Sequence, residues 1–380
     1  MAVWIALAVF AVLSVGGVGA WALMSDGDGV QLADGSGEAA DPSAPRPAVA
    51  PPFPDDYLPE DADVFIHLRF AEAWNDPLVA GLLPPQARMF VDSLAAADGI
   101  TLADVESVTL AGPFLDGVVE RTKGQLSSGS ALPPSTFENP VAVVRLSQDF
   151  SVVDMASAKG SEGEKRFTPL SLPDAAGEIY VDRTETPVGQ APRAVWQPDA
   201  RTVVIGDEER IVALASKPSG NSDRAAFAGA AGGTLQVFVA PKGGLSVLPT
   251  SEEMNSIADD EAAKPSEESV KRYDVMQRTA AGFGLSLDLT ARPQTLTVTC
   301  PAMRPGMSED VAELEAAADW FLAQLIEKSS DPDAAMPPNV RSLSDDLLGS
   351  ADRSTTDGVV TVTFTAPADL RARLEAPPGE

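Results

Sequence analysis

The sequence predicts an α+β protein built as an N-terminal transmembrane helix, a disordered stalk, and two similar α+β halves with mainly antiparallel sheets. Three observations carry that expectation. Residues 2–24 contain no charged side chain. Residues 25–54 are rich in Gly, Asp, Ala and Pro and show almost no apolar periodicity. Beyond residue 55, strand-like alternations come in pairs with helical stretches between them, a pattern that favours antiparallel sheets over repeated parallel crossovers. A chain of 380 residues exceeds the usual size of one core, so the expected divisions are 1–24, 25–54, 55–230 and 231–380.

The first segment, Ala2 to Met24, would rise about 35 Å as a helix, enough to cross a hydrocarbon core. Two readings fit it, a retained anchor and a cleaved signal. Trp4 and Trp21 lie where an aromatic belt would put them, and Trp21 to Met24 prolong the apolar run. Against that, Val18-Gly19-Ala20 fits a small-residue cleavage site. With no basic flank, orientation would rest on the α-amino group inside and Asp26, Asp28 and Asp34 outside. Either reading puts the remainder outside the cytoplasm, and the anchor reading makes the protein single-pass at the cell membrane, its membrane contact made through residues 1–24. The stalk that follows cannot bury a core and would span on the order of 30 Å as a flexible tether. Its Asp26-Gly-Asp28-Gly start lacks a third calcium ligand, because Val30 stands in that place.

In the first half, "DADVFIHLRF" alternates Val64, Ile66, Leu68 and Phe70 against Asp63, Phe65, His67 and Arg69, which predicts a half-buried strand. His67 is the only histidine and is expected to be solvated or paired across strands. Asn75 or Asp76 before Pro77 predicts a helix start, and a second helix is expected over 85–97, ending at Gly99. "GITLADVESVTLAG" predicts a turn capped at Thr101 and a strand from Val105. "NPVAVVRLSQDFSVVDMASAKG" predicts a strand and then a helix opened by Ser151 and Asp154. "RAVWQPDARTVVIGDEERIVALAS" predicts a hairpin turning at Pro198-Asp199 and a helix led by Asp207, Glu208 and Glu209, whose charges suit the helix dipole.

The second half repeats this order of elements. A strand opens at Thr234, and "GFGLSLDLTARPQTLTVTCPA" predicts a hairpin. A long helix capped at Ser308 would bury Val311, Leu314, Ala318, Phe321, Leu322 and Leu325. "DGVVTVTFTAPADLRARLE" closes the chain as strand then helix. Residues 250–278 predict exposed acidic helices able to attract a basic partner, and Asp345-Asp346 and Asp259 to Glu261 predict solvated faces. Cys300, the only cysteine, sits on the apolar face of an alternating strand and is expected to be buried and inert.

The runs "LPEDADVFIHLRFAEAWNDPLVAGLL", "GITLADVESVTLAGPF" and "WQPDARTVVIGDEERIVALA" resemble a group of uncharacterised bacterial proteins with an N-terminal anchor, a low-complexity stalk and a duplicated α+β outer portion. The resemblance implies fold and location over residues 55–380. That group has no assigned activity, so the resemblance implies no site residue.

The chemistry is bounded mainly by what is missing from the sequence. Twenty-seven basic against 56 acidic residues leave a net charge of −29, which repels nucleic-acid backbones, so no nucleic-acid partner is expected. One histidine and one cysteine rule out His-rich and Cys-based metal sites. The sequence contains no Gly-x-Ser-x-Gly, Ser-x-x-Lys, P-loop or dinucleotide fingerprint; "GAAGG" at 229–233 and "GFG" at 282–284 read as turn or strand glycines. No catalytic, cofactor-binding or metal-ligating residue is assigned, and no cofactor is expected. The resulting expectation is a membrane-tethered extracytoplasmic module that binds or scaffolds a protein or envelope partner without catalysis. The alternatives are a carboxylate-dependent hydrolase of envelope glycans, needing two facing acids, and a carrier with a closed apolar pocket.

Overall fold

A computed structural model describes residues 57–75, 104–113, 140–152, 167–173, 175–182, 192–217, 233–241, 244–247, 267–289, 291, 293–329 and 338–370. The expected anchor at 1–24, the stalk at 25–54, the helix at 85–97, the turn at Thr101 and the acidic run at 259–261 lie outside the described residues. The protein is a mixed helix and strand fold, and its elements fall in two compact units. Within each unit every strand ladder is antiparallel.

The first unit carries β1 (Val64–Leu68), α1 (Phe70–Asn75), β2 (Val105–Gly112), β3 (Val141–Leu146), β4 (Phe167–Leu170), β5 (Glu178–Asp182), β6 (Arg193–Asp199), β7 (Thr202–Asp207) and α2 (Glu208–Ser216). Its strands lie in the order β1-β2-β3-β7-β6-β5-β4. One face of this sheet holds the core: Leu68, Val108, Val144 and Val203 are neighbours across four strands, and Phe70, Leu146, Val152 and Phe167 pack with them. Pro169 sits in β4, where the sequence of strands ends, because a proline removes a ladder donor that only an edge strand can spare. The opposite face carries the row His67, Thr109, Val143, Val204 and Trp196, and beside it Ser107, Arg145 and Thr202.

The second unit carries β8 (Leu235–Val239), a short 3-10 turn (Gly244–Val247), α3 (Glu267–Thr279), β9 (Phe283–Asp288), β10 (Thr295–Pro301), α4 (Ser308–Ser329), α5 (Pro338–Gly349), β11 (Asp352–Thr356) and β12 (Val359–Thr365). Its strands lie in the order β11-β12-β10-β9-β8. Val237, Leu285, Val298 and Val362 align on its apolar face. Arg353 and Thr355 of β11 reach Asp319 and Glu315 of α4, which places that helix over the same face. The other face carries the row Gln236, Ser286, Thr297 and Thr363.

Both units share one chain course. Three successive strands form a meander, the last strand of the unit lies beside the third, and the strand before it lies outside. Between the third strand and that closing hairpin, the first unit inserts β4 and β5 and the second inserts α4 and α5.

Several expectations shift. The helix Phe70–Asn75 was not anticipated, and the helix expected to open at Asn75 or Asp76 before Pro77 runs into residues outside the described ones. Phe70, the first residue of α1, is drawn into the core. The hairpin turns at Ala200-Arg201, two residues after the expected Pro198-Asp199, because Asp199 accepts the Arg201 N–H at 2.8 Å and so initiates the turn. His67 is 2% exposed and not solvated; its cross-strand partner is Thr109. In α4, Leu314 and Ala317 are buried while Val311, Ala318 and Leu322 are half-buried, and the side chains of Phe321 and Leu325 lie outside those described. The strands β4, β5 and β11 and the helix α5 were not anticipated. Asp345 and Asp346 are exposed as expected, and Cys300 is buried, its thiol pushed up to about 12 by burial.

Candidate functional site

The first unit contains a cleft of about 380 Å³ at the end of β2, β3, β6 and β7, lined by Glu106, Arg145, Leu146, Asp149, Asp199, Ala200, Arg201 and Thr202. Its volume falls within the range of small-molecule sites. Two irregularities of the sheet build it. The β2–β3 register shifts between Val105 and Ser107, so Glu106 is displaced from the ladder. The β6–β7 register shifts between Trp196 and Asp199. Bulges of this kind re-aim side chains and gather beside functional sites.

The second bulge is anchored from outside the strand. Gln197 donates to the Phe150 carbonyl at 2.6 Å and accepts the Val152 N–H at 2.9 Å. Asp199 is held by the Arg201 N–H, by the Tyr57 hydroxyl at 3.2 Å and by the hydroxyl of Thr202. Burial raises the Asp199 carboxyl, but these donors and the charge of Arg145 outweigh it and hold the group below the ordinary carboxylate range. Tyr57 also stands edge-on to Trp196, with ring centroids 5.5 Å apart. Trp196 is fully buried and donates its indole N–H to the Ala176 carbonyl at 2.7 Å.

Arg145 is the unusual side chain of the site. It projects from a strand that is otherwise apolar, "VAVVRL", and it is half-buried between Ser107 and Thr202. Its Nε is buried with no hydrogen-bond partner among the described residues. A guanidinium offers five donors in a planar fork matched to carboxylate or phosphate, so such an orphan beside a cleft marks unused anion-binding capacity. Arg201, by contrast, is engaged by Asp149 at 3.0 Å, in a pair whose side chains are 62% and 75% exposed.

His67 lies on the same sheet face, with Nδ1 2.8 Å from Thr109 Oγ1. Burial, reinforced by the charges of Arg69 and Arg145, lowers it from 6.5 to about 4. A neutral, enclosed imidazole bonded across strands serves structure. Among the described residues no group of His, Cys, Asp and Glu could hold a metal ion, and no helix is long and apolar enough to cross a membrane.

Sequence reading assigned no site residue and missed this cleft. The available signal was the charge of Arg145 inside an apolar strand; the bulge at Glu106 is a property of strand pairing and leaves no mark in "VESVTLAG".

No family model matches the chain, and no curated protein matches it. Among solved structures the chain is similar to TP0453 of Treponema in several crystal forms. For form I the identity is 10% and the TM-score 0.33, covering 86% of this chain and 96% of that one. Form III gives 8% and 0.37 over 87% and 98%, and form IV gives 7% and 0.37 over 86% and 96%.

Proposed function

We propose that this protein is a membrane-tethered extracytoplasmic binding module without catalytic activity, its outer portion arisen by duplication of one α+β unit. The uncharged run at 2–24 is the tether, residues 25–54 are the spacer, and the outer portion is the working part. The shared strand course of the two units supports the duplication. The observation that carries the binding role is the polar cleft at Arg145, whose buried Nε has no hydrogen-bond partner among the described residues.

The two alternatives fit this cleft less well. A glycan hydrolase needs a carboxyl that keeps its proton as general acid. Of the three carboxylates in this cleft, Asp199 is pushed in the opposite direction and Asp149 is engaged by Arg201, which leaves Glu106 without a second acid to work with. An apolar carrier needs a closed apolar cavity, whereas charged side chains make up most of this lining.

Two experiments test the proposal. Alkaline extraction of membranes should retain the full chain and release a variant lacking residues 1–24; release of both overturns the tether. Ligand-observed NMR of the full chain with a fragment library should give hits that Arg145→Gln loses. Hits unaffected by that substitution, or conversion of any hit to product, overturn the binding role.

A further inference from the structure

Resting on the binding role just proposed, we infer that the cleft takes a small zwitterion carrying a carboxylate and an ammonium, an amino acid or short peptide, with the carboxylate on Arg145 and the ammonium on Glu106. The inference comes from pairing off the charges that line the cleft. Asp149 and Arg201 pair with each other at 3.0 Å. Asp199 is occupied by the Arg201 N–H and by the hydroxyls of Tyr57 and Thr202. What remains is Arg145, whose Nε is buried without a hydrogen-bond partner among the described residues and whose charge also acts on Asp199, and Glu106, which lines the same cleft.

Geometry keeps these two apart. Arg145 is fixed in the β3 ladder between Ser107 and Thr202, whereas Glu106 is the displaced residue of the β2 bulge. Opposite charges that share a cleft without closing on each other are complementary to a ligand bearing both signs. A plain anion fits less well. It would satisfy Arg145 but would face the carboxylates of Glu106, Asp149 and Asp199 on a chain of net charge −29. A zwitterion adds no net charge and gives both Arg145 and Glu106 a charge-assisted bond. The cleft volume of about 380 Å³ suits a ligand of this size and not a macromolecule.

The test is calorimetric titration of the full chain with glycine, diglycine and triglycine, which separate the two charges by increasing lengths. N-acetylglycine supplies the carboxylate alone and glycinamide the ammonium alone. One of the three zwitterions should bind about tenfold or more tighter than either blocked compound, the gain of one added charge-assisted bond. Best binding by glycine identifies a free amino acid, and best binding by an oligomer identifies a peptide. Arg145→Gln should abolish this binding, and Glu106→Gln should reduce the zwitterion to the level of N-acetylglycine, both with unchanged circular dichroism. Equal affinity for N-acetylglycine and the zwitterions, or tighter binding of inorganic phosphate, overturns the inference. If fragment hits at Arg145 persist while no glycine compound binds, the zwitterion falls and the binding role stands; if neither binds, both fall.

Discussion

The imidazole Nδ1 of His67 and the hydroxyl of Thr109 stand 2.8 Å apart across the β1–β2 ladder, both side chains almost wholly enclosed. The pair has a consequence for acid stability. Folding lowers His67 from 6.5 to about 4, so between those values the unfolded chain binds a proton that the folded chain refuses. His67 therefore withdraws stability as pH falls from 6.5 to about 4 and has no effect above that window. The full effect is about 3 kcal/mol below the window. Urea denaturation of wild type and His67→Gln across this range should show the variant losing less stability on acidification. Parallel curves would show that His67 keeps its ordinary affinity for protons.

Trp196 is a second point of leverage in the same unit. Its buried indole fills the space beside Tyr57 and satisfies the Ala176 carbonyl. Trp196→Phe removes ring volume and that bond, and should lower unfolding free energy by about 2 kcal/mol. Because Tyr57 also holds Asp199, the same substitution should weaken any ligand of the cleft, a linkage that calorimetry checks directly.

The hairpin between β11 and β12 turns on Asp357 and Gly358, at φ 51° and 77°, the pair of left-handed residues a type I′ turn requires. A Cβ on Gly358 would also collide with Pro305. Gly358→Ala should cost about 2 kcal/mol from backbone strain alone. Asp357→Asn should be neutral or stabilising, since Asn-Gly suits this turn best. Thermal unfolding of the two variants checks the contrast.

Cys300 lies in β10 with its thiol 3.4 Å from the Gly282 carbonyl. Burial that pushes it up to about 12 leaves almost no thiolate at neutral pH. In the folded protein it should not react with an aromatic disulfide reagent, and it should react at once in denaturant. As the single cysteine, it reports opening of the second unit without interference. Prompt reaction of the native protein would contradict its enclosure.

How far the sequence disclosed this arrangement depended on how unequal the two faces of each element are. β12 alternates buried Val360, Val362 and Phe364 with half-buried valine and threonines, and a period of two is legible without any structure. β11 reads "DRSTT", exposed at every position, so it has no such period. Its place comes from the Asp357-Gly358 turn and from Arg353 and Thr355 reaching α4. Likewise "VESVTLAG" foretells a strand but not that Glu106 leaves the ladder, because a bulge belongs to two strands at once. His67 was legible as a strand residue, and its enclosure was not, since that depends on what lies across from it.

The common course of the two units also governs how the chain reaches its native state. In each, the third strand waits for a partner far along the chain: Ala142 pairs with Ile205, and Thr297 with Thr363. Such distant pairings must overcome loop-closure entropy before they are rewarded, which slows folding. Until the closing hairpin arrives, β3 and β10 each present an open edge. A chain truncated before β11 would leave β10 exposed permanently, a template for association with another copy. Completion of each unit is thus timed by its last strand, and neither sheet is whole until its closing hairpin is in place.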